Sequence, residues 1–339
     1  MLAKTLDLIP EKTISIWSKR RKPKPSIVYN TYWKFATKRQ EVFFKRFNGE
    51  SFPWSKDVIL NQYKFTNVYR ASDRVSQYLI KNVIYKGSQN PVEIFFRILL
   101  FKIFNRISTW EYLEEKLGKL SFKNYSFRKY NTILTELMKN KIPIYSAAYI
   151  MASGRSTFGY TRKHQNHLKL IEKMIKEGVP YKLQYCESMG SAYQLLHSYP
   201  TIGDFLAYQY VIDINYSSLT NFSEMEFVKA GPGAKDGIVK CFKDLGDYSF
   251  EDIIRMMADN QETEFNRLHL DFKNLWGRRL QLIDCQNIFC EVDKYSRVAH
   301  PEVIGYSHRT RIKQKFSLQE KEQIEFYFPP KWNINQLTN

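Results

Sequence analysis

Four polar residues, Asp284, Asn287, Glu291 and Lys294, recur through the stretch LQLIDCQNIFCEVDKYSRV. They stand at i, i+3, i+7 and i+10, which places them on one face of a helix. Cys285, Ile288, Phe289 and Val292 form the apolar side. Asp284 follows an apolar run and occupies the place of an N-cap. A clustered Asp, Asn, Glu and Lys face is more than a solubility stripe needs. The pattern equally suits a capped helix whose exposed charges pair with one another.

A second stretch, FVKAGPGAKDGIVKCF, places Gly231, Gly233 and Gly237 around Pro232 in a chain with only 14 glycines. Glycine serves where φ is positive or where the backbone must approach something closely, and a phosphate is one candidate. SEMEFVKA before it opens on Ser223, with Glu226 three residues on, the pattern of a capping box. AKDGIVKCF after it is amphipathic enough for a short helix. Helix, glycine turn and helix make a helix-hairpin-helix, whose N–H groups at the second helix start suit a DNA phosphate. A plain helix–helix turn satisfies the pattern too.

Helical periodicity dominates the elements that must carry these residues. PVEIFFRILLFKIFNR is apolar almost all round, with Pro91 at a first helical position, so it is expected to be a buried central helix. Arg97, Lys102 and Asn105 interrupt it. A buried charge needs a partner, so at least one should meet an acid, with Asp73 as the candidate. SDRVSQYLIKNVIY is expected to be a helix from Ser72, and TIGDFLAYQYVIDINYS another nearly buried one. No alternating-strand series and no fixed-period repeat appear, so the fold class is mainly α.

The composition narrows the partners. Hydrophobic residues make up 43% and aromatics 16%, enough for a sizeable core, which excludes wholesale disorder. Lys and Arg number 52 against 34 Asp and Glu, a net charge of +18 that favours nucleic acid first. No run is long and apolar enough to span a membrane, and MLAKTLDLIPEK does not read as a signal peptide. Four cysteines without a Cys-x-x-Cys pair point to a reducing cytoplasm. The run SKRRKPKP, with Lys19, Arg20, Arg21 and Lys22, reads as a basic arm on DNA or as a solvated linker. The domain reading is a basic arm over 1–40, a helical domain over 41–300 with the hairpin at 223–242 and the acidic helix at 284–298, and a basic extension over 301–339.

Several motifs fail. Gly154, Arg155 and Ser156 resemble the end of G-x-x-x-x-G-K-[ST], but Tyr149 stands where the first glycine belongs and Arg replaces the Lys. His164 and His167 have no Cys or acidic ligand close by, and no G-x-S-x-G elbow is present. No metal and no cofactor are expected.

GPGAK and LIDCQNIF resemble the hairpin and the apolar-Asp element of the helix-hairpin-helix DNA glycosylase superfamily. That resemblance implies that Lys235 is the amine of a lyase-type hairpin and that Asp284 serves scission of the glycosidic bond. The interval between them holds an insertion relative to that pattern. A resemblance over roughly 63–298 goes further. YKFTNVYRASDRVSQYLI, EIFFRILLFKIFN, SAAYIMASG, TIGDFLAYQYVIDINYS, GPGAKDGI and LIDCQNIFCEVDKY look like the helical family named after 5-hydroxymethyluracil DNA kinase, also called the α-glutamyl/putrescinyl thymine pyrophosphorylase group.

The resemblance implies a glycosylase-like fold of two helical lobes around a cleft and chemistry on DNA bases. Asp284, Asn287, Glu291 and Lys235 would be catalytic. Arg70, Asp73, Arg97, Asn105 and Lys294 would line the substrate pocket. Gly231, Gly233, Lys235 and the basic arm would hold DNA. The leading expectation is a monomeric DNA glycosylase that flips and excises a hydroxymethyl-derived or glycosylated base from double-stranded, phage-type DNA, as in anti-phage defence. The alternatives are a transferase joining an amino acid or amine to an activated 5-hydroxymethyl-pyrimidine, and a non-catalytic binder of modified DNA.

Overall fold

The computed structural model describes residues 20–318 and 325–338. Among them the chain is mainly helical, as its periodicity requires. In order the helices are α1 (Ile27–Phe47), α2 (Val58–Gln62), α3 (Arg74–Tyr78), α4 (Pro91–Phe104), α5 (Ile107–Leu117), α6 (Phe127–Lys139), α7 (Arg155–Phe158), α8 (Lys163–Lys176) and α9 (Val179–Gln184). Then come α10 (Met189–His197), α11 (Asp204–Asn215), α12 (Pro232–Cys241), α13 (Phe250–Arg267) and α14 (Leu282–Ala299). Strands β1 (Lys24–Pro25) and β2 (Phe242–Asp244) pair antiparallel.

Helix α4 is the central helix expected from its composition. Asn90 caps it by accepting from the Val92 N–H, Pro91 opens it, and every residue from Ile94 to Phe104 is buried. Each large apolar side chain so placed contributes on the order of 1.5–3 kcal/mol. Around α4 pack α8, α9, α11 and a π-helical turn over Leu79–Ile84. The expected helix from Ser72 is therefore three pieces: a 3-10 turn (Arg70–Ser72), α3 and the π turn.

A second packing centre joins α12, α14 and α1. Helices α12 and α14 lie close together because Gly237 presents no side chain to Phe289. A Cβ there would stand 2.7 Å from the Phe289 carbonyl carbon. Tyr32, Trp33 and Phe289 fill the space beneath them. Residues 27–40, assigned to the arm from sequence, thus lie in α1 and build the core.

The hairpin departs from expectation. Residues 223–230 form a turn and extended chain, not a helix, so no helix-hairpin-helix forms there. Glu226 does not close a capping box; its carboxylate accepts from the Met189 N–H at the start of α10, a tertiary partner. No helix among the described residues is long and apolar enough to cross a membrane.

Candidate functional site

Arg70 is the hinge of the site. Its backbone N–H donates to Asp284 Oδ1 at 2.9 Å, and its side chain runs the other way into α11. There Nε donates to Gln209 Oε1 at 3.0 Å, and Nη1 donates to Asp213 Oδ1 at 2.8 Å and to the Tyr216 hydroxyl at 3.3 Å. Lys102 of α4 reaches the second Asp213 oxygen at 3.1 Å and donates to Asn105 Oδ1 at 2.9 Å. All of these groups are buried. Burial pushes the Asp213 carboxyl upward, but Arg70 and Lys102 outweigh it and hold the group below its ordinary range. Burial likewise works against Arg70, and Asp213 more than restores its charge. Burial lowers Lys102, against which Asp213 acts only in part. One carboxylate thus serves two cations in the dry interior, a net positive centre. Tyr149 completes it: the Lys102 ammonium lies 4.5 Å from its ring, and the residue has φ +58°.

The acid that meets α4 is Asp213 rather than the expected Asp73, and the residue it meets is Lys102; Asp73 instead accepts from the Asn67 N–H. Arg97 meets no acid. It donates to the carbonyls of Val83 (2.7 Å), Ile84 (3.0 Å) and Ser88 (2.8 Å), closing the end of the π turn. Asn105 has φ +47° and ends α4 in the left-handed conformation. Neither Asp213 nor Lys102 was singled out as a site residue from sequence. The available signal was a charge deep inside each of two mostly apolar helices, Lys102 in PVEIFFRILLFKIF and Asp213 in DFLAYQYVIDIN.

The polar face of α14 forms as its spacing implies, and it is occupied. The residues there clasp the segment from Thr66 to Arg70. Asn287 donates to the Asn67 carbonyl at 2.9 Å, and Glu291 accepts from the Thr66 N–H at 3.1 Å while pairing with Lys294 at 2.7 Å. Asp284 is not the N-cap but the third residue of the helix. Its Oδ2 accepts from the Gln281 N–H at 3.0 Å, and Gln281 is the cap. Burial, aided by the charge of Glu224, pushes the Asp284 carboxyl up to about 7. Both of its oxygens accept backbone N–H groups, so Asp284→Asn must turn an NH2 toward one of them. The expected outcome is a stability loss of about 1–3 kcal/mol in urea denaturation. An unchanged midpoint would show that the loop relaxes around the amide.

Asp73 lies beside this face. It accepts from the Asn67 N–H at 2.7 Å, and burial pushes its carboxyl up to about 7, with Glu291 adding to the rise and Arg39 opposing it. A carboxyl raised from 3.8 stabilises the fold below about pH 4, and that contribution is lost as pH climbs through about 7. Asp73→Asn keeps an acceptor for Asn67 and cannot ionise. Relative to the parent, the variant should gain stability steadily between pH 4 and pH 8 in denaturation curves. A constant difference would mean that Asp73 titrates normally.

The hairpin glycines pack against the chain itself. Gly231 has φ −73° and needs no left-handed backbone; a Cβ there would stand 2.6 Å from the Phe205 ring, which stacks on Tyr149 at 5.7 Å. Gly233 faces the Cys290 sulfur. Lys235 is exposed, its ammonium 5.6 Å from the Phe250 ring. In the basic run, Arg20 bonds Asp247 and Asp252, Arg21 pairs with Asp244 and Asp247, Lys22 is exposed, and Lys19 lies outside the described residues. No group of three His, Cys, Asp or Glu among the described residues could hold a metal ion. His164 and His167 are buried and hydrogen-bonded, and burial lowers both to about 4.

Next to Gln281 lies an open pocket of about 470 Å³. Trp276, Arg278, Arg279, Trp332 and Asn333 line it with Gln281. The Arg278 guanidinium lies 3.7 Å from the centre of the Trp332 ring and pairs with Glu224 at 2.9 Å. The Tyr69 hydroxyl donates to the Arg278 carbonyl at 2.6 Å, tying the pocket to the residue before Arg70.

These features define a mainly helical protein with a buried ionic centre under a guanidinium- and tryptophan-lined pocket. Residues 26–305 match the family described as 5-hmdU DNA kinase, helical domain, and the chain belongs to that family. Among curated proteins, the 5-hmdU DNA kinase of Bacillus phage SP10 is 25% identical over 322 residues, which cover 88% of this chain and 50% of the relative. The chain thus spans about half the length of that relative. No solved structure matches. The match overturns the glycosylase expectation: the family and the relative are named for phosphoryl transfer to DNA, not for hydrolysis of an N-glycosidic bond. Amine transfer and passive binding do not correspond to a kinase either.

Proposed function

We propose that this chain engages double-stranded DNA carrying 5-hydroxymethyl-deoxyuridine and serves phosphoryl transfer to the hydroxymethyl group of that base. The observation that carries this reading is the family match over residues 26–305. The net charge of +18 supports a polyanionic partner. Phosphoryl transfer to a hydroxyl needs an accurately held acceptor, a group to take its proton, and positive charge nearby. Asp284 acts as a positioning residue, since it fixes Arg70 and the start of α14 beside the pocket. Lys235 and Lys22, exposed cations from the sequence motifs, would supply positive charge to a phosphate. One copy of the chain engages the DNA, in the compartment that holds that DNA.

The test is a competition between duplexes identical except for one 5-hydroxymethyl-deoxyuridine in place of thymidine, read by fluorescence anisotropy. Mass spectrometry of the digested DNA after incubation with ATP then looks for a phosphorylated hydroxymethyl base. Preferential binding of the modified duplex and appearance of that nucleotide are the expected results. Equal affinity with no new nucleotide would overturn the reading.

A further inference from the structure

The open pocket beside Gln281 is built from two parts of the chain. Trp276, Arg278, Arg279 and Gln281 lie within the residues that match the family, whereas Trp332 and Asn333 lie beyond them. The later part is held in place firmly. Lys331 donates to the carbonyls of Ser217 and Thr220 at 3.2 and 2.7 Å, and Asn335 bonds Phe328 in both directions. The Trp332 ring packs edge-on against Tyr216, the same tyrosine whose hydroxyl accepts from Arg70.

The chemistry of the lining selects a ligand class. Arg278 presents a planar cation backed by Trp332, oriented by Glu224, and its Nε is buried without a hydrogen-bond partner. Such a plane stacks on a nucleobase. Asn333 and the Gln281 carboxamide oxygen offer polar groups to a base edge, and Arg279, an exposed residue that donates Nη2 to the Ala258 carbonyl at 2.6 Å, keeps further N–H groups for a phosphate. A volume of about 470 Å³ falls in the range of small-molecule sites and is open to solvent on one side.

We propose that this pocket binds one nucleotide unit, its base stacked on the Arg278–Trp332 pair and its phosphate at Arg279. Resting on the functional reading above, the inference leaves two sources for the nucleotide: a residue extruded from DNA, or a free nucleoside triphosphate.

Photocrosslinking separates the possibilities. The full chain is irradiated with a duplex carrying one 5-iododeoxyuridine, and separately with 8-azido-ATP, and the labelled peptides are mapped by mass spectrometry. Anisotropy on the same duplex reports DNA binding independently. A crosslink to Trp276 or Trp332 from the duplex supports the pocket with DNA as its source. A label there from the azido nucleotide supports it with a free nucleotide as its source. Trp332→Ala should cut pocket labelling roughly 5- to 100-fold, while Trp332→Phe retains most of it. Circular dichroism checks that both variants fold. DNA binding with every crosslink outside the pocket would overturn the pocket and leave the DNA reading standing. Absence of DNA binding with a nucleotide label in the pocket would do the reverse, and absence of both would overturn both.

Discussion

Replacing Asp213 by alanine should destabilise the protein by about 3–5 kcal/mol, among the largest losses expected from any single substitution. The carboxylate is fully buried and bonds Arg70 at 2.8 Å and Lys102 at 3.1 Å. Its removal leaves two cations in the interior with no anion between them. The two losses differ in kind. Arg70 keeps Gln209 and the Tyr216 hydroxyl, whereas Lys102 keeps only Asn105 and the face of Tyr149. Removing the orphaned charge should therefore help: the double variant Asp213→Ala with Lys102→Met should lose less than Asp213→Ala alone. Guanidinium denaturation of the parent, both single variants and the double variant gives the coupling directly. Additive losses would show that Lys102 is not held by Asp213.

Gly237→Ala should cost about 3 kcal/mol, although alanine is the better helix former by about 1 kcal/mol. The intrinsic preference loses because the obstacle is backbone. The new methyl would meet the Phe289 carbonyl group, with its carbon at 2.7 Å and the Cα at 3.1 Å, and neither can swing aside as a side chain would. Helices α12 and α14 would have to separate along their whole contact, loosening Phe289 from Tyr32. Gly233→Ala is the control, since its nearest obstacle is the Cys290 sulfur at 3.1 Å, which can give. A midpoint for Gly237→Ala equal to that of the control would show that the helices adjust freely.

Much of the fold was legible in the sequence where one local rule decided the outcome. Helix α4 is apolar all round and must be buried whatever surrounds it. Helix α14 forms with its polar face as spaced. The rule failed where a distant partner outbid a near one. Ser223 and Glu226 carry the letters of a capping box, yet the Glu226 carboxylate takes the Met189 N–H and the segment stays extended. Asp284 looked like a cap because it follows an apolar run, but those apolar residues are already helical and Gln281 does the capping. The hairpin glycines did mark a close approach, and the object approached was Phe205, Cys290 and Phe289 rather than a phosphate. A ring, a sulfur and a carbonyl group leave the same mark in sequence as a ligand would. The pairing of Lys102 with Asp213 needed the packing of α4 against α11, which no periodicity reports.

The last aromatic residues reach back to the first helix. Phe326 stands 5.1 Å from Phe43 and 5.9 Å from Phe47, and Trp276 and Phe328 complete the same cluster. A ribosome delivers Phe43 long before Phe326. Until Phe326 follows, the rings of Phe43 and Phe47 lack one of their covering partners, and a nascent chain in that state offers chaperones an aromatic handle. Closing contacts so far apart along the chain is slow. The pocket lined by Trp276 and Trp332 therefore closes only once Trp332 has followed Trp276, so a chain interrupted between them cannot carry it.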